Sequence, residues 1–364
     1  MTKTFKRRPF LCGCAGCDRT PGFAGTAIDR RSFLTGSAAA GLGMTGFSAT
    51  GLGTAAAQPA SKPHRIDVHH HVVPPAQAKA AADRMRGMPK WSVSMSLEDM
   101  DKAGVATSIV SIINPGPWYG TIDEETRKLA RDCNEYCAQL GRDHPGRFRF
   151  FAAIPLPDAE GSLREIEYAL DTLKAEGIAL WTSYTGKYLG DASFEPVYQE
   201  LNRRKAVVYT HPGVPECCAN VVPGVPPSVI EYATDTTRTV AGMFFDKAGV
   251  GYKYPDIRWI WSHSGGTIPF LTSRLVEQAE RRKLKDPVPY LQKFYYEVGQ
   301  GNTPGQLAAL TKLVAISQVL FGSDFPYRDA KEAVDGVTAY KFSAADQLAI
   351  DNGNALKMFP NIKI

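Results

Sequence analysis

Eight short runs rich in β-branched and aromatic residues punctuate the chain from Arg65 onward, with stretches of helical period between them. They are Arg65 to His71 (RIDVHHH), Ser108 to Asn114 (SIVSIIN), Phe148 to Leu156 (FRFFAAIPL), Gly177 to Tyr184 (GIALWTSY), Ala206 to Pro212 (AVVYTHP), Ile257 to Ser264 (IRWIWSHS), Phe294 to Gly299 (FYYEVG) and Val319 to Phe325 (VLFGSDF). Between them, Leu129, Cys133, Tyr136, Cys137 and Leu140 fall on one face of a helix, and Leu163, Ile166, Leu170 and Leu173 repeat the pattern. Strand and helix in eightfold alternation call for parallel strands joined by crossover helices. The expected fold is therefore α/β, a (β/α)8 TIM barrel spanning residues 58–364 as one domain. A chain of 364 residues is an ordinary size for it. No internal repeat, coiled coil or low-complexity tract competes.

The first 57 residues read differently. Asp29-Arg30-Arg31-Ser32-Phe33-Leu34-Thr35 precedes an uncharged stretch of small and apolar residues ending in Ala55-Ala56-Ala57. That order is the pattern of a twin-arginine export signal cleaved after Ala57. Gly, Ala, Ser and Thr dominate the stretch and make it a poor membrane-spanning helix. The mature chain is thus expected in the periplasm without stable membrane association, or in the cytoplasm where the leader is not used. The twin-arginine route carries folded proteins, which suits a metal loaded before export. Charge agrees with the division: seven of the 42 Lys and Arg and two of the 37 Asp and Glu precede residue 58, so the net +5 belongs to the leader. The remainder is balanced, which gives no reason to invoke nucleic acid.

Cys12, Cys14 and Cys17 lie in the leader with no second ligand cluster near them. Cys133 and Cys137, four apart on a helix, are expected to face the core. Cys217 and Cys218 are neighbours in a connection, Pro212 to Pro227, that holds five prolines and two glycines. Such a segment is neither helix nor central strand, and it is expected to lie as an ordered loop over the barrel mouth, with a plain surface connection as the alternative. Neither cysteine pair supplies the disulfide framework of a small secreted protein, so the core must hold the fold.

The chemistry concentrates at strand ends. His69 and His71 are separated by one residue on a strand, so both point to one side and His70 to the other. His211 ends the fifth run, His263 the sixth and Asp324 the eighth, and the carboxyl ends of barrel strands are where such enzymes keep their sites. His69, His71, His211 and Asp324 make a three-nitrogen, one-oxygen donor set suited to one divalent metal, Zn2+ or alternatively Mn2+. His263 is then left as a base or electrophile beside the metal.

The segments IDVHHHVVPP, YTHPG, SHSGGTIPF and FGSDFPY, in this order, resemble the amidohydrolase superfamily, in the branch typified by aminocarboxymuconate-semialdehyde decarboxylase. The likeness covers residues 64 to 360. It implies metal ligation by His69, His71, His211 and Asp324 and a catalytic role for His263. SLREIEYALDTLKAEGI and EYATDTTRTVAGMFF further resemble bacterial relatives of 6-methylsalicylate decarboxylase. Binuclear members of the superfamily carry a bridging lysine at the end of the fourth strand. Leu180 to Tyr184 stands there without one, and a mononuclear centre follows. Glu297 is given no role.

Trp118, Tyr119, Trp181, Tyr184, Phe325 and Tyr327 follow strand ends and would suit a flat aromatic or dienoic acid, although aromatics also fill cores. Arg238 is the candidate to hold the carboxylate, with an ion pair to Asp235 as its structural alternative. The expected reaction is metal-dependent, non-oxidative decarboxylation of a small aromatic or muconate-type carboxylic acid, with Asp324 or a water delivering the proton and His263 assisting. The alternatives are hydrolysis of a lactone or amide by the same centre and a non-catalytic periplasmic binding protein. The sequence is compatible with a homodimer or a higher oligomer.

Overall fold

The structure, a computed structural model, describes residues 62–82, 88–118, 122–219, 221–246 and 249–364. The expected leader, with Cys12, Cys14 and Cys17, lies outside the described residues, as does Tyr119. Eight strands follow one another in sequence order: β1 (Arg65–Val72), β2 (Val105–Ile112), β3 (Phe148–Ala153), β4 (Gly177–Trp181), β5 (Val207–His211), β6 (Arg258–Trp261), β7 (Tyr295–Glu297) and β8 (Val319–Leu320). Every neighbouring pair is parallel. The ring closes where Val68 N donates to Phe321 O at 3.0 Å and His71 N to Phe325 O at 2.7 Å. The eight parallel strands thus form a (β/α)8 barrel, as the alternation required.

Two apolar layers hold it. Ile66, Val68, Ile109, Phe151, Ala179, Val207, Tyr209, Ile260 and Leu320 fill the lumen, with Ala355, Met358, Phe359 and Ile362 of the C-terminal segment packed against them. A larger layer lies between strands and helices, where Trp259 and Trp261 stack at 5.5 Å. Cys133 and Cys137 are buried there on the helix Glu124–Asp143, and burial pushes the Cys133 thiol up to about 12. Neither is a reactive thiol.

The first strand departs from strict alternation where the chemistry begins. Ile66 and Val68 both face the lumen, which by period two would turn His69 outward. The pairing with β2 slips between Asp67 and His70, and this irregularity brings His69 inward as well. His70 then points away from the centre, bonding Asp67 at 3.1 Å and Ser96 Oγ at 2.9 Å. Ser96 lies on the helix Val93–Ala103, which is N-capped by Ser92 and ended by Gly104 at φ 66°.

The proline-rich connection leaves β5, makes a turn at Glu216–Cys218 and enters the helix Pro227–Phe245 with Pro227 in its first turn. Among the described residues, no helix is long and apolar enough to cross a membrane.

Candidate active site

The strand ends bring five ionisable side chains to one buried point. His69 Nε2 lies 3.0 Å and His71 Nε2 3.1 Å from Oδ1 of Asp324, and His211 Nε2 lies 4.0 Å from the same oxygen. His263 Nε2 approaches the other oxygen, Oδ2, at 3.3 Å. One donor atom each from His69, His211, His263 and Asp324 falls within 4.8 Å of all the others, and the Nε2 atoms of His69 and His71 are 3.0 Å apart. His211 Nε2 and Asp324 Oδ1 are nevertheless buried without a hydrogen bond. Buried polar atoms that crowd together yet do not bond one another fit a shared cation.

Backbone geometry sets the last two groups. His263 and Asp324 adopt φ of 53° and 67°, a left-handed conformation that costs a side-chain-bearing residue roughly 1–3 kcal/mol. Neighbours impose it: Asp324 N donates to His69 O at 2.8 Å, and His263 N donates to Glu297 Oε1 at 2.6 Å. Asp67, fully buried, joins β1 to the turn carrying Asp324, accepting from His69 N and Ser323 N, both at 3.0 Å, and from Ser323 Oγ at 2.6 Å.

Charge is distributed unevenly among the imidazoles. Burial opposes a charge on His69, but the Glu297 and Asp324 carboxylates outweigh it and hold the imidazolium up to about 10. Burial and the neighbouring His69 push His71 down, against the pull of Asp324; burial and the surrounding imidazoles push His211 well down. Asp324 is held well below the usual carboxylate range by His69, His263 and His71 in spite of its burial. The surroundings thus favour the charged form of His69, between two carboxylates, and the neutral form of His71 and His211.

Three residues at the centre were not anticipated. Glu297, the last residue of β7, accepts from His69 Nδ1 at 2.8 Å, from His263 N and from Gly299 N, each at 2.6 Å. It fixes which nitrogen of His69 faces the centre. Asp67 is the second, and Gln300, whose amide donates to Asp324 Oδ2, is the third. Glu297 alone carried a signal, as the single carboxylate in an apolar strand run.

A cavity of about 390 Å³ lies by the strand end that carries His211, with Asn114, Trp118, Trp181, Thr182, Tyr184 and Gly213 in its wall and none of the five clustered groups among its lining residues. Trp181 is the register partner of His211 across the β4–β5 pair. Three of the expected aromatics therefore line it. Phe325 does not: it stacks on His70 at 4.7 Å, on the far side of β1. Because Phe325 closes the ring next to the outward-facing His70, its side chain is carried out of the mouth. Tyr327 sets its ring edge-on to His71 at 5.7 Å and is partly exposed. Arg238 is not in the cavity wall either; its guanidinium pairs with Glu231 at 3.0 Å rather than with Asp235. Asp235 is fully buried and bonded instead to Thr182, Tyr188 and Gly213 N. Among the described residues, no Lys or Arg lines this cavity.

The amidohydrolase family model matches residues 66–360, from the first barrel strand to the C-terminal segment. The chain belongs to this amidohydrolase family. It is 35% identical over 318 residues to the 6-methylsalicylic acid decarboxylase of Penicillium expansum, covering 82% of this chain and 97% of that one. Among solved structures, it is similar to 5-carboxyvanillate decarboxylase from Sphingomonas paucimobilis, with a TM-score of 0.74 and 21% identity over 83% of this chain and all of that one. It is also similar to a dihydroxybenzoic acid decarboxylase from Polaromonas sp. JS666 with bound manganese and 2-nitroresorcinol. That TM-score is 0.71 and the identity 21%, covering 83% of this chain and 98% of that one. At these identities the structural likeness is one of fold.

Proposed function

We propose that this amidohydrolase is a metal-dependent, non-oxidative decarboxylase of a salicylate-type aromatic acid. The observation that carries the reading is the pairing of a buried His–Asp cluster with an aromatic-walled cavity beside His211 that has no Lys or Arg in its wall. About 390 Å³ is within the range of small-molecule sites, roughly 300–1,000 Å³. A wall without cations leaves an acid's charge to be met at the cluster itself. The named activity of the Penicillium relative supports the same class of substrate.

His69, His71, His211 and Asp324 would hold the cation, because their donor atoms gather around one oxygen of Asp324. Zn2+ suits three imidazoles and a carboxylate, and Mn2+, held by the Polaromonas neighbour, is the alternative. The cation supplies Lewis-acid stabilisation of charge that builds on an oxygen as the carbon–carbon bond breaks. The protein supplies the rest. Loss of CO2 leaves a carbon that must take up one proton, and His263 and Oδ2 of Asp324, 3.3 Å apart, form the pair able to move it. Gln300 bonds the same oxygen and restrains the carboxylate during transfer. Trp118, Trp181 and Tyr184 exclude water from the ring and orient its plane. Arg238 is committed to Glu231 of its own helix, Pro227–Phe245, and takes no part in holding the acid.

The test is to incubate metal-loaded protein with salicylate-type acids and with aromatic lactones and identify products by mass spectrometry. Loss of CO2 is expected, and His263→Asn is expected to abolish it. Gain of water would assign the chain to hydrolysis instead, and metal binding without turnover on either set would leave a binding protein. We further propose that residues 1–57 are a twin-arginine leader, so that the working enzyme is periplasmic. The N-terminus of protein recovered from a periplasmic fraction, expected at Gln58, tests that.

A further inference from the structure

Cys217 and Cys218 are adjacent in sequence, and their sulfurs are joined in a disulfide. A disulfide stabilises a fold by closing a loop of chain, and more so the longer the loop. This one spans neighbouring residues and closes none, so global stability does not explain it. Its consequence is local: it ties two side chains across the peptide bond between them and stiffens the turn Glu216–Cys218.

The position of that turn gives stiffness a function. Gly213, Val214, Pro215 and Cys217 line the same cavity as Trp118 and Trp181. Cys218 lines a separate small pocket together with Val221, Val222 and Val225 of the same connection and Ile230 of the helix that follows. The wall is anchored at its start, where Gly213 N donates to Asp235 Oδ2 at 3.1 Å, and at its end, where the helix begins at Pro227. Between these anchors, among the described residues, Cys218 N donates to Pro215 O at 2.9 Å within the turn and Val225 N to Val222 O at 3.2 Å beyond it. The Cys217–Cys218 bridge adds a covalent restraint at the turn, and Cys217 is exposed to solvent.

We propose that Cys217 and Cys218 form a thiol–disulfide switch on the wall of the substrate cavity. The inference rests on the reading of that cavity as the acid-binding site. In the disulfide state the turn holds the Cys217 side against the bound ring, and in the dithiol state the wall loosens and the acid binds more weakly. The chemistry is exchange with a small dithiol. Its thiolate attacks Sγ of Cys217, the Cys217–Cys218 bond breaks to leave a thiolate on Cys218, and the second thiol of the reductant resolves the mixed disulfide. Two electrons and two protons pass to the protein, and the reductant leaves as its cyclic disulfide. A low-molecular-weight disulfide reverses the exchange. The oxidising compartment implied by the proposed leader would favour the bridged state.

Two readouts test the switch on the full chain. In the first, native protein is alkylated with iodoacetamide before and after dithiothreitol, and the peptide carrying the pair is weighed. It is expected unlabelled before reduction and doubly labelled after, with Cys133 and Cys137 protected throughout by burial. In the second, protein desalted after reduction and checked for metal content is compared with untreated protein. KM for the salicylate-type acid is expected to rise about fivefold or more on reduction, the lower end of coupling between sites, with kcat unchanged. Cys217→Ser and Cys218→Ser are expected to show the raised KM without reductant and no further response to it. Calorimetric titration with 2-nitrophenol, whose nitro group stands in for the carboxylate and cannot be lost as CO2, is expected to give the same ratio in Kd. That readout needs no turnover, so it stands even where the decarboxylase reading fails. A pair fully alkylated before reduction would overturn the proposal. So would equal affinity for 2-nitrophenol in both states, or a dithiothreitol response that survives in Cys217→Ser.

Discussion

Glu297→Gln tests whether the ligand arrangement depends on the residue that holds His69. The carboxylate accepts three bonds, from His69 Nδ1 at 2.8 Å and from His263 N and Gly299 N at 2.6 Å, and is fully buried. An amide of the same shape keeps one oxygen, and its best placement leaves that oxygen on His69 and His263. Its NH2 then faces Gly299 N, donor against donor, with no solvent to satisfy either. A buried group left without its partner costs about 1–3 kcal/mol, and the charge that made His69 a strong electron donor is lost as well. Changes to groups that orient metal ligands lower metal affinity by about 10–100-fold, or about 1.4–2.7 kcal/mol, which matches the cost of the lost bond. Competition against a chromophoric chelator, with Zn2+ and Mn2+ in turn, measures the change directly. Circular dichroism of the metal-free variant should remain that of the parent, since β7 stays paired with both its neighbours through its backbone. A variant that folds and binds metal with the parent's affinity would refute the reasoning, because His69 would then be oriented without Glu297.

Three further outcomes are expected. Gly322→Ala would place a Cβ 2.0 Å from Glu297 Oε2 and 2.9 Å from His69 Cβ, both in fixed buried groups; overpacking of roughly 1–3 kcal/mol should appear as a melting temperature several degrees lower together with weakened metal retention, and an unchanged melting curve would show that the centre can yield. Metal uptake near neutral pH should release a proton, because His69 is held charged up to about 10 in the metal-free centre; apparent affinity should rise about tenfold per pH unit, and calorimetry in buffers of different ionisation enthalpy should report the release. Asp99 supplies a pH-dependence of stability away from the centre: burial raises it to about 6, against the Ala330 N–H it accepts and the nearby His70, with Asp67 and Asp329 adding to the rise. Its folded value lies above the ordinary unfolded value of about 3.9, so the folded state binds its proton more tightly. Stability should therefore fall as pH rises through about 4 to 6, by at most about 3 kcal/mol, and Asp99→Asn should flatten that part of the profile in urea melts.

What could be read from the sequence, and what could not, divides along a physical line. Periodicity reports which face of an element meets apolar surroundings, so eight strand runs and the helix of Cys133 and Cys137 were legible, and with them the barrel. Strand order in a barrel follows chain order, so the ends of the first, fifth, sixth and eighth runs had to meet, and His69, His71, His211, His263 and Asp324 do come together. Periodicity does not report what lies across the barrel from a residue. Asp67 and Glu297 had no visible role because their partners are 256 and 228 positions away. Phe325 fails for a related reason, since the register irregularity that turns His69 inward leaves its neighbour His70 facing out, where Phe325 stacks on it.

The same limit applies to charge. Arg238 and Asp235 are three apart on one helix, and on a free helix they would pair. In the barrel, Asp235 points inward to Thr182, Tyr188 and Gly213, and a fully buried carboxylate with those three donors is no longer available to an arginine outside. Arg238 turns to Glu231 instead. What Asp235 holds by facing inward is the start of the cavity wall at Gly213. Asp235, expected as an ion-pair partner of Arg238, is therefore instead a residue that shapes the wall of the cavity proposed to take the substrate. Its removal should be felt in KM, while the Arg238–Glu231 pair, one third exposed at the arginine, should contribute little.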